Sequence, residues 1–310
     1  MTEHADRGPE HLEHGGLVPV DLEALRSVFG LGVAGNFAGH LEQAGEAGDF
    51  VNVDAAAQMP KGVFPWYAPG DASFLGEFPL DPRELRLPAG DHRAQVQIEP
   101  ELGVLFDVVR GGGEGDDAEG PVTGLRPRWA AAFDDCSVRR PGARRISEKK
   151  NWGAASKGVA PRAFALDDLE PGGALANLRI ACMLRRDGET HAYGVDSGAP
   201  TYTLIGAPLE AWLVDRLTTQ RGSDDTPLED VGALLAACSP PVTQVLVGIG
   251  ATRYEPLGET TYLEAGDEAI VVVYDSRVHE PGAVAEAVAG GRDNALSAAS
   301  VLRRVVIAPR

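Results

Sequence analysis

The chain has 310 residues, 44% of them hydrophobic, and a formal net charge of −18. That is ample apolar material for one large domain, or for one domain with a smaller companion, and it excludes disordered and fibrous classes. An isoelectric point near 4.8 argues against a protein that coats phosphate backbones, because such proteins carry a basic footprint.

In chain order, the first sixteen residues are polar and lack an apolar stretch, so they read as a flexible terminus and not as a targeting segment. No later apolar run approaches the 18 residues of a membrane span. A soluble cytoplasmic protein without a membrane partner is expected. Asp21 reads as the N-cap of a short amphipathic helix over 22–29, stopped by Gly30. The following Gly30-Leu-Gly-Val-Ala-Gly35 is close to a dinucleotide-binding Gly-x-Gly-x-x-Gly, yet it follows a helix signal where that motif needs a strand. Residues 60–79, rich in proline, glycine and aromatic rings, read as an ordered loop.

Glu99 and Glu101 lie two apart in an apolar, strand-like run, and period-2 alternation puts both carboxylates on one face. At a rise of about 3.3 Å per residue they start roughly 6.6 Å apart, near enough to share a cation. Asp134 and Asp135, ending a second apolar run, can bring a third carboxylate to the same place. Three oxygen ligands with positions left open is how Mg²⁺ or Mn²⁺ is held for catalysis. A pair of surface acids on an edge strand is the plain alternative. The acidic, glycine-rich stretch 111–120 reads as a flexible connection between two strands.

Arg139, Arg140, Arg144, Arg145, Lys149, Lys150 and Lys157 place seven positive charges within nineteen residues. They make a solvated loop, a nucleic-acid patch or the lining of a pocket for an anion; the overall charge disfavours the second and the neighbouring carboxylates favour the third. The three cysteines, Cys136, Cys182 and Cys238, include no Cys-x-x-Cys pair, so neither a disulfide framework nor a zinc site is expected. Strands are expected over 178–184 and 190–195 around an Asp187-Gly188 turn, then over 244–248, 268–274 and 301–307. Helices are expected over 209–217, over 281–289, and from a Thr226-Pro-Leu-Glu229 capping box to about Cys238.

Glu99-Pro-Glu101-Leu-Gly-Val, then Asp134-Asp135-Cys-Ser137-Val-Arg139, then Lys157 at 22 residues beyond Asp135 resemble the fumarylacetoacetate hydrolase family. Its signatures are an E-x-E-L-G-V strand, an N/D-D-x-[ST]-x-R segment and a lysine about twenty positions later. The resemblance implies an α+β fold, a mixed β-sandwich roll of the C-terminal-domain type in that family, with a small N-terminal region. Residues 17–90 would form that N-terminal or lid region and 91–310 the catalytic domain, usually in a homodimer. It implies Glu99, Glu101 and Asp135 as ligands of Mg²⁺ or Mn²⁺, with Arg139 and Lys157 stabilising developing negative charge. Asn36, Phe37 and His40 are similar to a lid segment N-[YF]-x-x-H-x-x-E, in which the histidine pairs with glutamate to activate water. Here position 43 is Gln43, leaving Glu42 or Glu46 as substitutes, and His40 as a structural histidine is the other reading. Asn36, Ser137 and Thr252 would meet the substrate, Thr252 lying in a turn similar to a site-facing glycine-threonine turn of the family; a plain β-turn fits it as well. Arg140 stands where the family has aspartate.

The implied activity is hydrolysis or decarboxylation of a small anionic diketo or oxo acid through a metal-bound enolate. Isomerisation or hydration of an unsaturated acid is the near alternative. A metabolite-binding protein that keeps the fold without the chemistry is the further one, motivated by Gln43 and Arg140.

Overall fold

Residues 16–53, 55–56, 58–90, 95–111, 120–140, 143–223 and 225–309 are described by the computed structural model. The flexible terminus expected over 1–16 and the connection expected over 111–120 fall almost wholly outside them.

Fifteen strands occur among the described residues. The first half supplies β1 (Leu17–Pro19), β2 (Phe29–Ala34), β3 (Gly62–Tyr67), β4 (Glu84–Arg86), β5 (Val96–Gln97), β6 (Pro100–Arg110), β7 (Val122–Asp134) and β8 (Ser137–Val138). The second supplies β9 (Gly158–Val159), β10 (Arg162–Ala165), β11 (Leu178–Arg186), β12 (Glu189–Gly198), β13 (Gln244–Gly248), β14 (Glu268–Asp275) and β15 (Ala299–Ile307). Six helices join them: α1 (His40–Gln43), α2 (Ser147–Lys150), α3 (Ala207–Thr219), α4 (Val231–Ala237), α5 (Pro256–Thr260) and α6 (Pro281–Ala289).

The larger sheet runs β1-β10-β7-β6-β13-β2-β3 with β9 paired to β7, the smaller runs β12-β11-β14-β15-β4, and β5 pairs β8. Most neighbours are antiparallel, while β13–β2 and β15–β4 are parallel, so both sheets are mixed. Segment 17–90 contributes β1, β2 and β3 to the larger sheet and β4 to the smaller. One apolar cluster spans both sheets, from Phe29 and Trp66 through Leu102 and Phe133 to Leu302. Burial of this kind, at about 25 cal/mol per Å² of apolar surface, drives the assembly.

Three expected elements are corrected. The helix over 22–29 is only a 3₁₀ turn at Ala24–Ser27, with Asp21 accepting from the amides of Glu23 and Ala24, because Phe29 is drawn into a fully buried strand. The glycines of that strand serve packing: a Cβ on Gly30 would stand 2.4 Å from the Trp66 ring and one on Gly32 would stand 2.2 Å from Phe64. Those rings belong to β3, which replaces the loop expected over 60–79; burial of all six of its residues outweighs its proline. The helix expected from Thr226 starts at Val231, capped by Asp230, whose side chain accepts from the Ala233 amide, while the Thr226 and Leu228 carbonyls take the Arg145 guanidinium.

The other second-half elements fall where expected. Asp187 and Gly188 both take positive φ, 52° and 84°, as the two-residue turn of a right-twisted hairpin requires. Helix α6 begins at Pro281 and ends at Ala289.

Candidate metal centre

The β5–β6 corner and the end of β7 build the site. Pairing of Pro100 with Asp134 and of Glu101 with Phe133, with the Asp135 amide donating to the Glu99 carbonyl at 3.0 Å, brings two chain segments together. Pro100 lacks an amide hydrogen to pair. Ligand atoms from Glu99, Glu101 and Asp135 then lie within 4.8 Å of one another, all buried. The two glutamates share a face across the break between β5 and β6. Of the two candidate aspartates it is Asp135 that joins them. Asp134 turns away, accepting from the amides of Glu99 and Cys136 and meeting Arg304 at 3.2 Å.

Three cations contact these carboxylates, and a fourth, Lys149, stands one step out on Glu46. Lys150 contacts Glu99 Oε2 and lies 2.6 Å from Asp135 Oδ2, with its ammonium 5.2 Å from the Phe64 ring centre. Arg139 is held by Gln97, Glu46 and the Tyr254 hydroxyl and stands 3.0 Å from Glu99 Oε1. Lys157 lies 2.8 Å from Asp135 Oδ1 and donates to the Asp135 and Cys136 carbonyls. Lys149 bridges Glu46 and Asp49.

These contacts set the protonation pattern. Burial works against charge on Glu99, but Lys150 and Arg139 hold its carboxyl well below the usual range. Burial, reinforced by Asp135, pushes Glu101 well up, and Glu101 has no ion pair among the described residues; the Gly250 amide donates to it at 3.1 Å. Both Asp135 oxygens and Glu99 Oε1 are buried with cations beside them but no donor aligned on them. An all-oxygen set holding one unpaired buried carboxylate fits a hard divalent cation.

A narrow cavity of about 20 Å³, room for little more than a water molecule, opens on this cluster, lined by Glu99, Glu101, Asp135 and Lys150 together with His40, Glu46, Phe64 and Ala251. His40 is buried beside Tyr254, its Nδ1 without a partner, and burial lowers its basicity. Gln43 does not reach the cavity. Its amide bonds the Tyr254 amide and carbonyl at 2.9 and 3.1 Å and Glu259 at 2.6 Å. Of the two substitutes, Glu42 is exposed while Glu46 is buried and lines the cavity, tied to Arg139 at 2.7 Å.

The remaining expected site residues lie behind these walls. Asn36 spends its amide on Leu204 and Ile249. Ser137 on β8 and Thr252 after the Gly250 turn are buried with free hydroxyls, and neither is among the cavity-lining residues. Sequence reading did not single out Lys150 beyond its place in the basic block, and reached Glu46 only as a substitute for position 43. Both sit in charge-rich stretches whose spacing says nothing of which member turns inward.

A model of a family of unknown function, DUF5718, matches residues 46–306. In structure the chain is similar to Cg1458 crystallised with an inhibitor, at 15% identity and a TM-score of 0.50, over 90% of this chain and 77% of that one. It is similar also to a candidate HpcE protein from Mycobacterium smegmatis, at 16% identity and a TM-score of 0.51, over 92% and 77%. At such identities the likeness shows the fold, the α+β roll that the sequence motifs imply. No curated protein matches the sequence.

Proposed function

Since the chain belongs to DUF5718, a family of unknown function, its activity has to be read from the site, and we propose a divalent-metal-dependent enzyme acting on a small anionic oxo acid. In this reading it is a hydrolase or decarboxylase of the fumarylacetoacetate hydrolase kind. The observation that carries it is the buried cluster of Glu99, Glu101 and Asp135, one of whose carboxylates has no ion pair among the described residues.

These three residues would hold Mg²⁺ or Mn²⁺, which supplies a Lewis acid that draws electrons from a substrate carbonyl. The chain's own groups prepare that position. Arg139 and Lys157 act mainly as fixed charges beside Glu99 and Asp135, since Arg139 donates to Gln97, Glu46 and Tyr254 and Lys157 to the Asp135 and Cys136 main-chain carbonyls. Lys150, at the cavity wall, is the cation placed to meet a substrate carboxylate. His40, kept neutral by burial, is the base at the cavity whose Nδ1 is free to accept a proton.

Thermal unfolding of the wild type and of Asp135→Asn, with Mg²⁺ alone and with Mg²⁺ plus oxalate, tests the reading. At a hundred times Kd a ligand stabilises by about 2.7 kcal/mol, a shift of several degrees at this size. The wild type is expected to show it and the variant to lose it, with turnover then sought across a panel of oxo acids. No shift in either folded protein overturns the metal reading. The absence of a glutamate at position 43 favours one alternative, binding without chemistry, which a full ligand shift with no turnover of any panel member would establish.

A further inference from the structure

We propose that Lys150 is a resident competitor of the metal, so that the divalent ion and an anionic ligand enter this site cooperatively, each weakly without the other. This rests on the metal reading above. The Lys150 ammonium bridges two of the three candidate ligands, touching Glu99 Oε2 and Asp135 Oδ2. A divalent ion bound by the same oxygens meets a unit positive charge a few ångströms away, and at that range in a buried site like charges repel strongly. The ammonium therefore has to leave its carboxylates when the ion enters.

Its escape route is defined. The main chain after it cannot follow, because the Asn151 amide is anchored on the Trp66 and Glu77 carbonyls at 2.8 and 3.0 Å. The side chain itself is buried and lines the cavity. Displaced from the carboxylates, the ammonium turns into that cavity, along the Phe64 ring it already faces.

Charge counting gives the consequence. Around the cavity Glu46, Asp49, Glu99, Glu101 and Asp135, when ionised, face the four cations Arg139, Lys149, Lys150 and Lys157. A divalent ion turns an excess of one negative charge into an excess of one positive charge, and Lys150 is the one of the four cations freed from its partners. An anionic ligand restores the balance and gives the released ammonium a new partner. By linkage, if the anion strengthens metal binding, the metal strengthens anion binding by the same factor.

The test is calorimetric titration of Mn²⁺, with and without saturating oxalate, into wild type, Lys150→Met and Lys150→Arg. Methionine keeps the volume and leaves Glu99 with Arg139 and Asp135 with Lys157; circular dichroism checks that each variant folds. In the wild type, oxalate is expected to tighten Mn²⁺ by a factor within the usual coupling range of about 5–150. Lys150→Met should bind Mn²⁺ alone about tenfold or more tighter than the wild type, with the oxalate effect reduced, while Lys150→Arg, which keeps the charge, should stay as weak as the wild type. Tight Mn²⁺ binding in the methionine variant with none in the wild type also supports the proposal. If the wild type binds Mn²⁺ but Lys150→Met binds it no tighter, or oxalate has no effect on the wild type, Lys150 is not a competitor though the metal reading stands. If no form binds Mn²⁺ with or without oxalate, both fall.

Discussion

The site turns on individual groups whose neighbours assign their work. Gln43 shows how: at the position where the resembling family has glutamate, a neutral amide is needed, because it donates to a backbone carbonyl and to Glu259 while accepting from the Tyr254 amide. Gln43→Glu would set a carboxylate against both the carbonyl and Glu259. The expected outcome is a loss of about 1–2 kcal/mol in thermal or denaturant unfolding, with no gain in turnover. His40 is the opposite case, a buried imidazole with a free nitrogen facing the cavity. His40→Ala should abolish a hydrolytic rate by about 10²–10⁴-fold while leaving Mn²⁺ binding in place. Because burial lowers its basicity, the acid limb of the wild-type pH–rate profile should lie below the ordinary histidine value of about 6.5.

At the scale of elements, the single turn α2 decides where Lys149 and Lys150 point. Its first residue, Ser147, donates to Glu229, the carboxyl of which burial pushes up to about 7. An unfolded chain releases that proton near pH 4.3, so between about 4.3 and 7 the folded protein binds more protons than the unfolded one. Stability from this group is complete below the unfolded value and declines as pH rises through the folded one. Denaturant unfolding of Glu229→Gln should therefore lose a part of the downward slope that the wild type shows from pH 5 to 8. An equal slope in both proteins would remove Glu229 as its source.

Across the whole molecule, the same burial changes what the charges mean. Four of the seven cations in the basic block, Arg139, Lys149, Lys150 and Lys157, are turned inward onto carboxylates, and a fifth, Arg145, is held by backbone carbonyls. A chain of net charge −18 thus offers little of this block to a polyanion. In fluorescence anisotropy no salt-dependent affinity for a generic duplex is expected; binding that weakens steeply with salt would show an exposed basic face. Among the described residues no helix is long and apolar enough to cross a membrane.

Motifs local in the chain were readable without a fold. The Glu-x-Glu pair needs only strand periodicity, the Asp187-Gly188 hairpin only its turn chemistry, and α6 only a proline at its start. That Glu99 and Glu101 share a face was legible from periodicity, whereas Asp135 and not Asp134 as their companion came from the family resemblance. What remained hidden depended on partners far along the chain. Phe29 became strand and not helix because β13, more than two hundred residues later, offered a parallel edge, and 62–67 became β3 because β2 then lay beside it. Likewise, that Lys150 and not its neighbours reaches both Glu99 and Asp135 depends on the single turn α2 and on the Asn151 anchor. Local propensity carries no such information, since the energy that selects Lys150 comes from carboxylates that only the folded sheet brings within reach.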